Sequence, residues 1–190
     1  MHVIGIVGQI RSGKGTVEKI LTEELTKKGL SVVSHRFSDV LRETEKSWHL
    51  SPGRDTQQKI VLAMREYFGK EVLANVLEKR ALDAQEDVVI LDGLRWIDSD
   101  YPLLRRLPNN YLIYVEAPAK IRWRRSLLDN IQKPDEPGTT FDKFLDRDKV
   151  KNELDITSFK QHANFVIDNS SNGLDNLREQ VKKFISTLNL

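Results

Sequence analysis

The chain has 190 residues, a formal net charge of +2, 31% charged and 39% hydrophobic residues, and no cysteine. That length suits one α/β domain with a compact core. The small net charge gives no general attraction for nucleic acid, and the lack of cysteine excludes disulfides, thiolate catalysis and cysteine-ligated zinc. No apolar run reaches membrane-spanning length, and the first is too short for a secretory signal core. A cytoplasmic protein with no membrane partner is therefore expected, as a monomer or homodimer.

Residues 3–7 are continuously apolar, the pattern of a strand buried on both faces. Gly8-Gln-Ile-Arg-Ser-Gly-Lys-Gly-Thr16 follows. Its Gly8, Gly13 and Lys14 fit a phosphate-binding loop: glycines let backbone amides turn toward one centre, and lysine reaches the outer phosphates. A helix starting at the loop adds its dipole and unpaired amides to the anion site. A plain Gly/Ser turn with a solvated lysine is the other reading. The strand before and the helix after are the context that favours the phosphate loop.

Val17, Ile20, Leu21 and Leu25 then recur at helical spacing, with Gly29 where a helix C-terminal glycine belongs. Residues 31–37 read as a second strand, and Ser38 as the N-cap of a helix carrying Val40, Leu41 and Trp48. Pro52-Gly53 breaks the chain, and Gly69 separates two further helices. Residues 88–91 form a third strand ending in Asp92-Gly93, and residues 111–115 a fourth ending at Glu116-Ala-Pro118. Helix is expected over about 118–131, a polar lid stretch over 132–139, and more helix over about 141–154. A short fifth strand covers 165–167, before a strongly periodic terminal helix. Strands alternating with helices predict an α/β fold: a five-stranded parallel sheet with helices on both faces.

Ligands of open parallel sheets bind beyond the carboxyl ends of the strands. Asp39 and Arg42 follow strand two, Asp92 and Arg95 follow strand three, and Arg122, Arg124 and Arg125 lie in the helix after strand four. One surface arginine is usually solvated or ion-paired. Three arginine-bearing segments on one rim point instead to an anionic substrate held by convergent guanidinium groups.

At these residues a family resemblance is plain. Residues 3–16, including Gly15 between Lys14 and Thr16, resemble the opening of adenylate kinase and other nucleoside monophosphate kinases. Ser38-Asp-Val-Leu-Arg42 is similar to that family's segment whose arginine binds the acceptor phosphate. Asp92-Gly-Leu-Arg95 resembles its Asp-Gly-x-Pro-Arg stretch without the proline, which implies the same duty for Arg95. Glu116-Ala-Pro118 and Arg125 match the start of the lid, where arginines contact the donor. Residues 163–169 look more like dephospho-coenzyme A kinase. The whole is most similar to the adenylate-kinase-related P-loop kinases, and the likeness covers nearly the entire chain.

The resemblance implies ATP as donor, Mg²⁺ as cofactor, and small-molecule nucleotides as partners. It divides the single domain into a core (1–37, 84–120, 160–190), a helical acceptor-binding insert (about 38–83) and a lid (about 121–155). The chain departs from the family pattern where Arg11 replaces a loop glycine. The lid also lacks zinc-ligand cysteines, and a second lid arginine falls to Arg122 or Arg147.

The donor would thus be held by Gly8, Arg11, Ser12, Gly13, Lys14, Gly15 and Thr16, with Arg122 and Arg125. Thr16 and Asp92 would serve Mg²⁺, directly or through water; the plain reading of Asp92 is a turn residue. Asp39, Arg42, Arg65 and Arg95 would serve the acceptor. Lys14, Arg42, Arg95, Asp39 and Arg125 are the candidate catalytic groups.

Phosphoryl transfer needs positioning and charge neutralisation more than covalent help. A phosphate monoester is already a nucleophile at neutral pH, so with that acceptor Asp39 mainly positions. A sugar hydroxyl, as in dephospho-coenzyme A, would need Asp39 as base. The paired arginines favour the monophosphate. Other readings are an ATP-binding or hydrolysing regulatory module without an acceptor, and a nucleic-acid-binding cluster of Lys120, Arg122, Arg124 and Arg125. For that cluster a lid helix is more economical. Gln57, Gln58 and Arg65 read equally as a polar helix face, and Trp96 and Trp123 read as packed aromatics rather than base-stacking platforms.

Overall fold

The structure, a computed structural model, describes residues 1–132, 140–148, 151–171 and 173–188. Its strands are β1 (His2–Val7), β2 (Val32–Arg36), β3 (Val88–Asp92), β4 (Asn110–Glu116) and β5 (Phe165–Asp168). They form one sheet in the order β2-β3-β1-β4-β5, and every pairing is parallel. The sheet therefore has the expected architecture, with the first strand at its centre.

Helix α1 (Lys14–Lys27) follows β1. Helices α2 (Phe37–Ser47), α3 (Arg54–Phe68) and α4 (Val72–Asp83) lie between β2 and β3. Helix α5 (Asp100–Arg106) precedes β4, and α6 (Ala119–Gln132), α7 (Phe141–Asp148) and α8 (Lys151–Ser158) precede β5, after a short 3-10 turn. Helix α9 (Leu174–Ile185) closes the described chain. The expected polar lid stretch falls almost wholly on 133–139, outside the described residues, as does the side chain of Arg147.

Strands buried on both faces split the core in two. Ile4, Ile6, Val88, Ile90, Ile113, Val115 and Ile167 meet Val17, Leu21 and Leu25 of α1 and Val181 and Phe184 of α9. Val3, Val7, Val89, Leu91, Leu112 and Tyr114 face the other way, toward Leu73 and Leu77 of α4 and Leu103 and Leu104 of α5. Alternation along each strand sends successive side chains to opposite layers. No helix among the described residues is long and apolar enough to cross a membrane.

One local expectation is corrected. Ser38 is not an N-cap: β2 stays extended through Arg36 (φ −108°, ψ 138°) and α2 begins at once at Phe37. Pairing of Arg36 with Asp92 holds the strand to its last residue and leaves no room for a capping turn. Asp39 consequently lies in the first turn of α2, where its charge complements the helix dipole.

Candidate functional site

At the end of β1 the chain folds into the loop 8–13 and enters α1 directly. Gly8 is required by space, because a Cβ there would lie 2.3 Å from the Val115 carbonyl oxygen of β4. Gly13 is required twice over. Its φ is +99°, and a Cβ would lie 2.1 Å from the side-chain nitrogen of Asn169. Arg11 also has a positive φ of 62°, which explains why a glycine would suit that position. Lys14 Nζ donates to the carbonyls of Gly8 (2.7 Å) and Gln9 (3.3 Å), spanning the loop. A Cβ at Gly15 would meet nothing within 4 Å, so the missing hydroxyl beside Lys14 is not imposed by space. Thr16 is exposed on the first turn of α1. Ser12 is fully buried, and its Oγ has no hydrogen-bond partner among the described residues.

Asp92 is the electrostatic centre. In register it lies between Ile6 of β1 and Arg36 of β2. Burial pushes its carboxyl above the usual range, while Lys14, Arg36 and Arg95 pull it down and Glu18 adds to the rise. Lys14 and Arg95, separated by some eighty residues in the chain, thus both act on one carboxylate. Arg36 Nη2 donates to Glu18 Oε2 at 2.6 Å, and its Nε lies 3.5 Å from Asp92 Oδ2. Asp39 also acts on Arg36 and in turn holds Arg42. A continuous run of charge therefore leads from the phosphate loop to the start of α2.

Sequence reading missed Arg36 and Glu18. Glu18 is one helical turn beyond Lys14, and Arg36 ends the strand next to β3. Both were findable once β2 and β3 are known to be neighbours.

Asp92 Oδ1 is buried and has no hydrogen-bond partner among the described residues. No group of three or more His, Asp or Glu side chains gathers as a metal cluster among them. These two facts fit Mg²⁺, which keeps several waters and takes one or two carboxylates plus phosphate oxygens.

Arg95 is set by its backbone. Asp100, almost wholly buried, accepts from the N–H groups of Arg95 (2.8 Å) and Trp96 (3.0 Å) and from Ser99 Oγ (3.0 Å). Burial pushes its carboxyl up, against those three donors. Arg65 lies 4.1 Å over the Trp96 ring and donates to Lys70 O (2.7 Å), Ser99 Oγ (3.0 Å) and Asp98 (3.1 Å). The guanidinium thus fastens α3 to the loop that bears Arg95. Gln57 donates to the buried Glu45 (3.0 Å), while Gln58 faces solvent. Trp96 is packed beneath Arg65, and Trp123 lies against Phe141, as packed aromatics.

The two α6 arginines differ. Arg122 is 2% exposed; it forms a two-pronged pair with Asp148 (3.0 and 2.5 Å) and donates to Ala117 O and Ile10 O. Its guanidinium is a strut between α6, α7 and the loop rather than a group open to ligand. Arg125 donates to Asn169 O (2.9 Å) and reaches the carbonyls of Arg11 (3.4 Å) and Ser12 (3.3 Å). It rests directly on the phosphate loop. By contrast, Arg42 and Asp39 form a surface pair, with side chains 55% and 39% exposed.

No family model matches the chain. A UPF0200 protein of Pyrobaculum aerophilum is 26% identical over 188 residues, covering 99% of each chain. One from Sulfurisphaera tokodaii is 29% identical over 172 residues, covering 90% of this chain and 89% of the relative. Among solved structures, shikimate kinase from Bacteroides thetaiotaomicron superposes with a TM-score of 0.66 at 17% identity, over 100% of this chain and 99% of that one. TT1252 from Thermus thermophilus does so with a TM-score of 0.62 at 18% identity, over 100% and 98%. With its central first strand, its loop at the mouth of α1 and these neighbours, the chain has the P-loop kinase fold.

Proposed function

We propose that the protein is an ATP-dependent phosphotransferase that moves the γ-phosphoryl group to a nucleoside or deoxynucleoside monophosphate. The observation that carries this reading is the shared action of Lys14 and Arg95 on Asp92, with Arg36, Asp39 and Arg42 continuing the charge toward α2. Two anionic molecules repel when brought end to end, and a cavity of fixed guanidinium and ammonium charge offsets that repulsion.

In this reading the amides of residues 8–16 and Lys14 hold the donor's phosphates, and Arg125 supports the loop from outside. Asp92 and Thr16 would hold hydrated Mg²⁺, which when bound neutralises charge on the outer phosphates. Arg42 and Arg95 clasp the acceptor's phosphate. Helices α2 to α4 form the acceptor-binding part, and α6 to α8 belong to the lid that excludes water. Arg65 serves the acceptor indirectly, by fixing the loop of Arg95.

A second reading has its own support: two of the similar solved structures are shikimate kinases, one of them in complex with shikimate. Shikimate offers hydroxyl groups, so a hydroxyl acceptor such as dephospho-coenzyme A would make Asp39 the base. A coupled ATP assay across a panel of monophosphates and dephospho-coenzyme A separates the two. A monophosphate turned over well above acceptor-free hydrolysis is the expected result. Acceptor-independent hydrolysis alone would sink both readings.

A further inference from the structure

The donor reading leaves one buried polar side chain without a duty. Asn169 follows β5, is 8% exposed, and is pinned by its own N–H to Glu116 O at 2.8 Å. Its Nδ2 donates to Ser12 O at 2.8 Å, a bond spanning 157 positions of the chain. Its Oδ1 and its main-chain carbonyl both accept from Arg125 Nη2, at 3.2 and 2.9 Å.

We propose that Asn169 is a positioning residue for the phosphate loop, holding the Ser12–Gly13 peptide so that the Gly13 N–H faces the donor's phosphates. In a trans peptide the C=O and N–H point in opposite directions. Drawing the Ser12 carbonyl out toward Asn169 and Arg125 therefore turns the Gly13 N–H inward. No backbone carbonyl among the described residues accepts from that N–H, and it sits at the N-terminus of α1, where amides and dipole favour an anion. The closeness of Asn169 Nδ2, only 2.1 Å from where a Gly13 Cβ would stand, shows how tightly the amide seats on this peptide. Arg125 alone reaches Ser12 O at 3.3 Å, a longer and weaker contact. The amide of Asn169 is the group that fixes the plane.

The inference rests on the donor reading, and the test keeps the two apart. Binding of Mg–ADP is measured by calorimetry for the wild type, Asn169→Asp, Asn169→Ala and Asn164→Ala. Aspartate keeps an acceptor for Arg125 but sets an oxygen against Ser12 O, so its affinity should fall by about tenfold or more. Alanine keeps the main-chain bond to Arg125 and should fall similarly, which preserves the test if the aspartate variant does not fold.

Asn164 holds Leu112 N at 2.8 Å at the far end of β5, and its loss should lower stability without weakening Mg–ADP. In the wild type the Gly13 amide proton resonance should shift downfield on adding ADP, and that shift should shrink in Asn169→Ala. Wild-type affinity in both Asn169 variants would overturn the inference while leaving the donor site standing. A wild type that does not bind Mg–ADP would overturn the donor reading and the inference with it.

Discussion

The rims proposed for donor and acceptor are built from opposite materials. On the donor side, the loop carbonyls of Gly8, Gln9, Arg11 and Ser12 are all engaged by Lys14, Arg125 or Asn169, and two glycines are hemmed in by neighbouring atoms. On the acceptor side, Arg42 and Asp39 pair across one helical turn in solvent. A surface pair of that kind contributes about 0–1 kcal/mol, so an incoming phosphate can take its arginine. Under the proposed function, the contrast means that the donor meets a preformed cradle, whereas the acceptor draws its clasp out of an existing ion pair.

The strongest challenge to the preformed cradle is Gly13→Ala. The added Cβ meets Asn169 and the backbone is held at φ +99°, so either the loop or the C-terminal anchor must move. We expect Mg–ATP binding to weaken by about a hundredfold or more, with a folding penalty of about 2 kcal/mol. Calorimetric titration together with denaturant unfolding reads both. Near-normal affinity would mean that the loop is pliant and the contrast false.

The soft side is tested by Arg42→Ala. Because the pair is exposed, thermal stability should stay within about 4 °C of wild type. The acceptor KM should rise about tenfold to a hundredfold while the KM for ATP holds, since a charge-assisted contact to phosphate is lost. Steady-state kinetics with the best monophosphate from the panel decide this. An unchanged acceptor KM would remove Arg42 from the clasp and favour the hydroxyl reading.

These rims were unequally legible in the sequence. The strand segments, the helix spacing and the loop of residues 8–16 were readable because each depends on local period or on residues within one turn of each other, whereas the order of the strands in the sheet was not. Asp92 and Arg95 were singled out because strand ends carry sites in parallel sheets. Ser38 was misread because an N-cap signature says nothing about a strand that pairs to its last residue. Arg36, Glu18 and Asn169 were missed for a shared reason: their partners come from other elements. Asn169 is an ordinary polar residue near the end of the sequence until β5 is laid beside β4 and its amide meets Ser12. Arg122, singled out by its motif position, has its guanidinium paired with Asp148, a partner the sequence pattern did not show.

Asp92→Asn sharpens the donor side by separating stability from function. Burial raises the Asp92 carboxyl, so the folded state holds its proton to higher pH than the unfolded chain does. That stabilisation is complete below the ordinary carboxylate value and is lost as pH rises through the raised one. Asparagine escapes the loss, and Arg36 keeps Glu18 as partner at 2.6 Å. The ligand-free variant should therefore be more stable than wild type at neutral pH, with a flatter stability profile above the ordinary carboxylate range, while magnesium-dependent turnover collapses. Urea unfolding across the pH range measures the first part. A variant less stable than wild type at neutral pH would show Asp92 held by favourable pairing rather than kept at a cost.

The smallest expected effect concerns Arg11. Its φ of 62° costs a non-glycine residue about 1 kcal/mol, which Arg11→Gly would relieve. Glycine also gives the unfolded chain more freedom, by about 0.5–1 kcal/mol, so the two changes nearly cancel. Stability should therefore move by no more than about 0.5 kcal/mol. Nucleotide affinity then becomes the informative quantity, because Arg125 approaches this loop through the Arg11 carbonyl, which glycine retains. An affinity for Mg–ATP equal to wild type would remove the Arg11 side chain from donor binding. A drop of about tenfold with unchanged stability would mean that the Arg11 side chain adds a cation to the cradle, and that its strained backbone is tolerated for that contact.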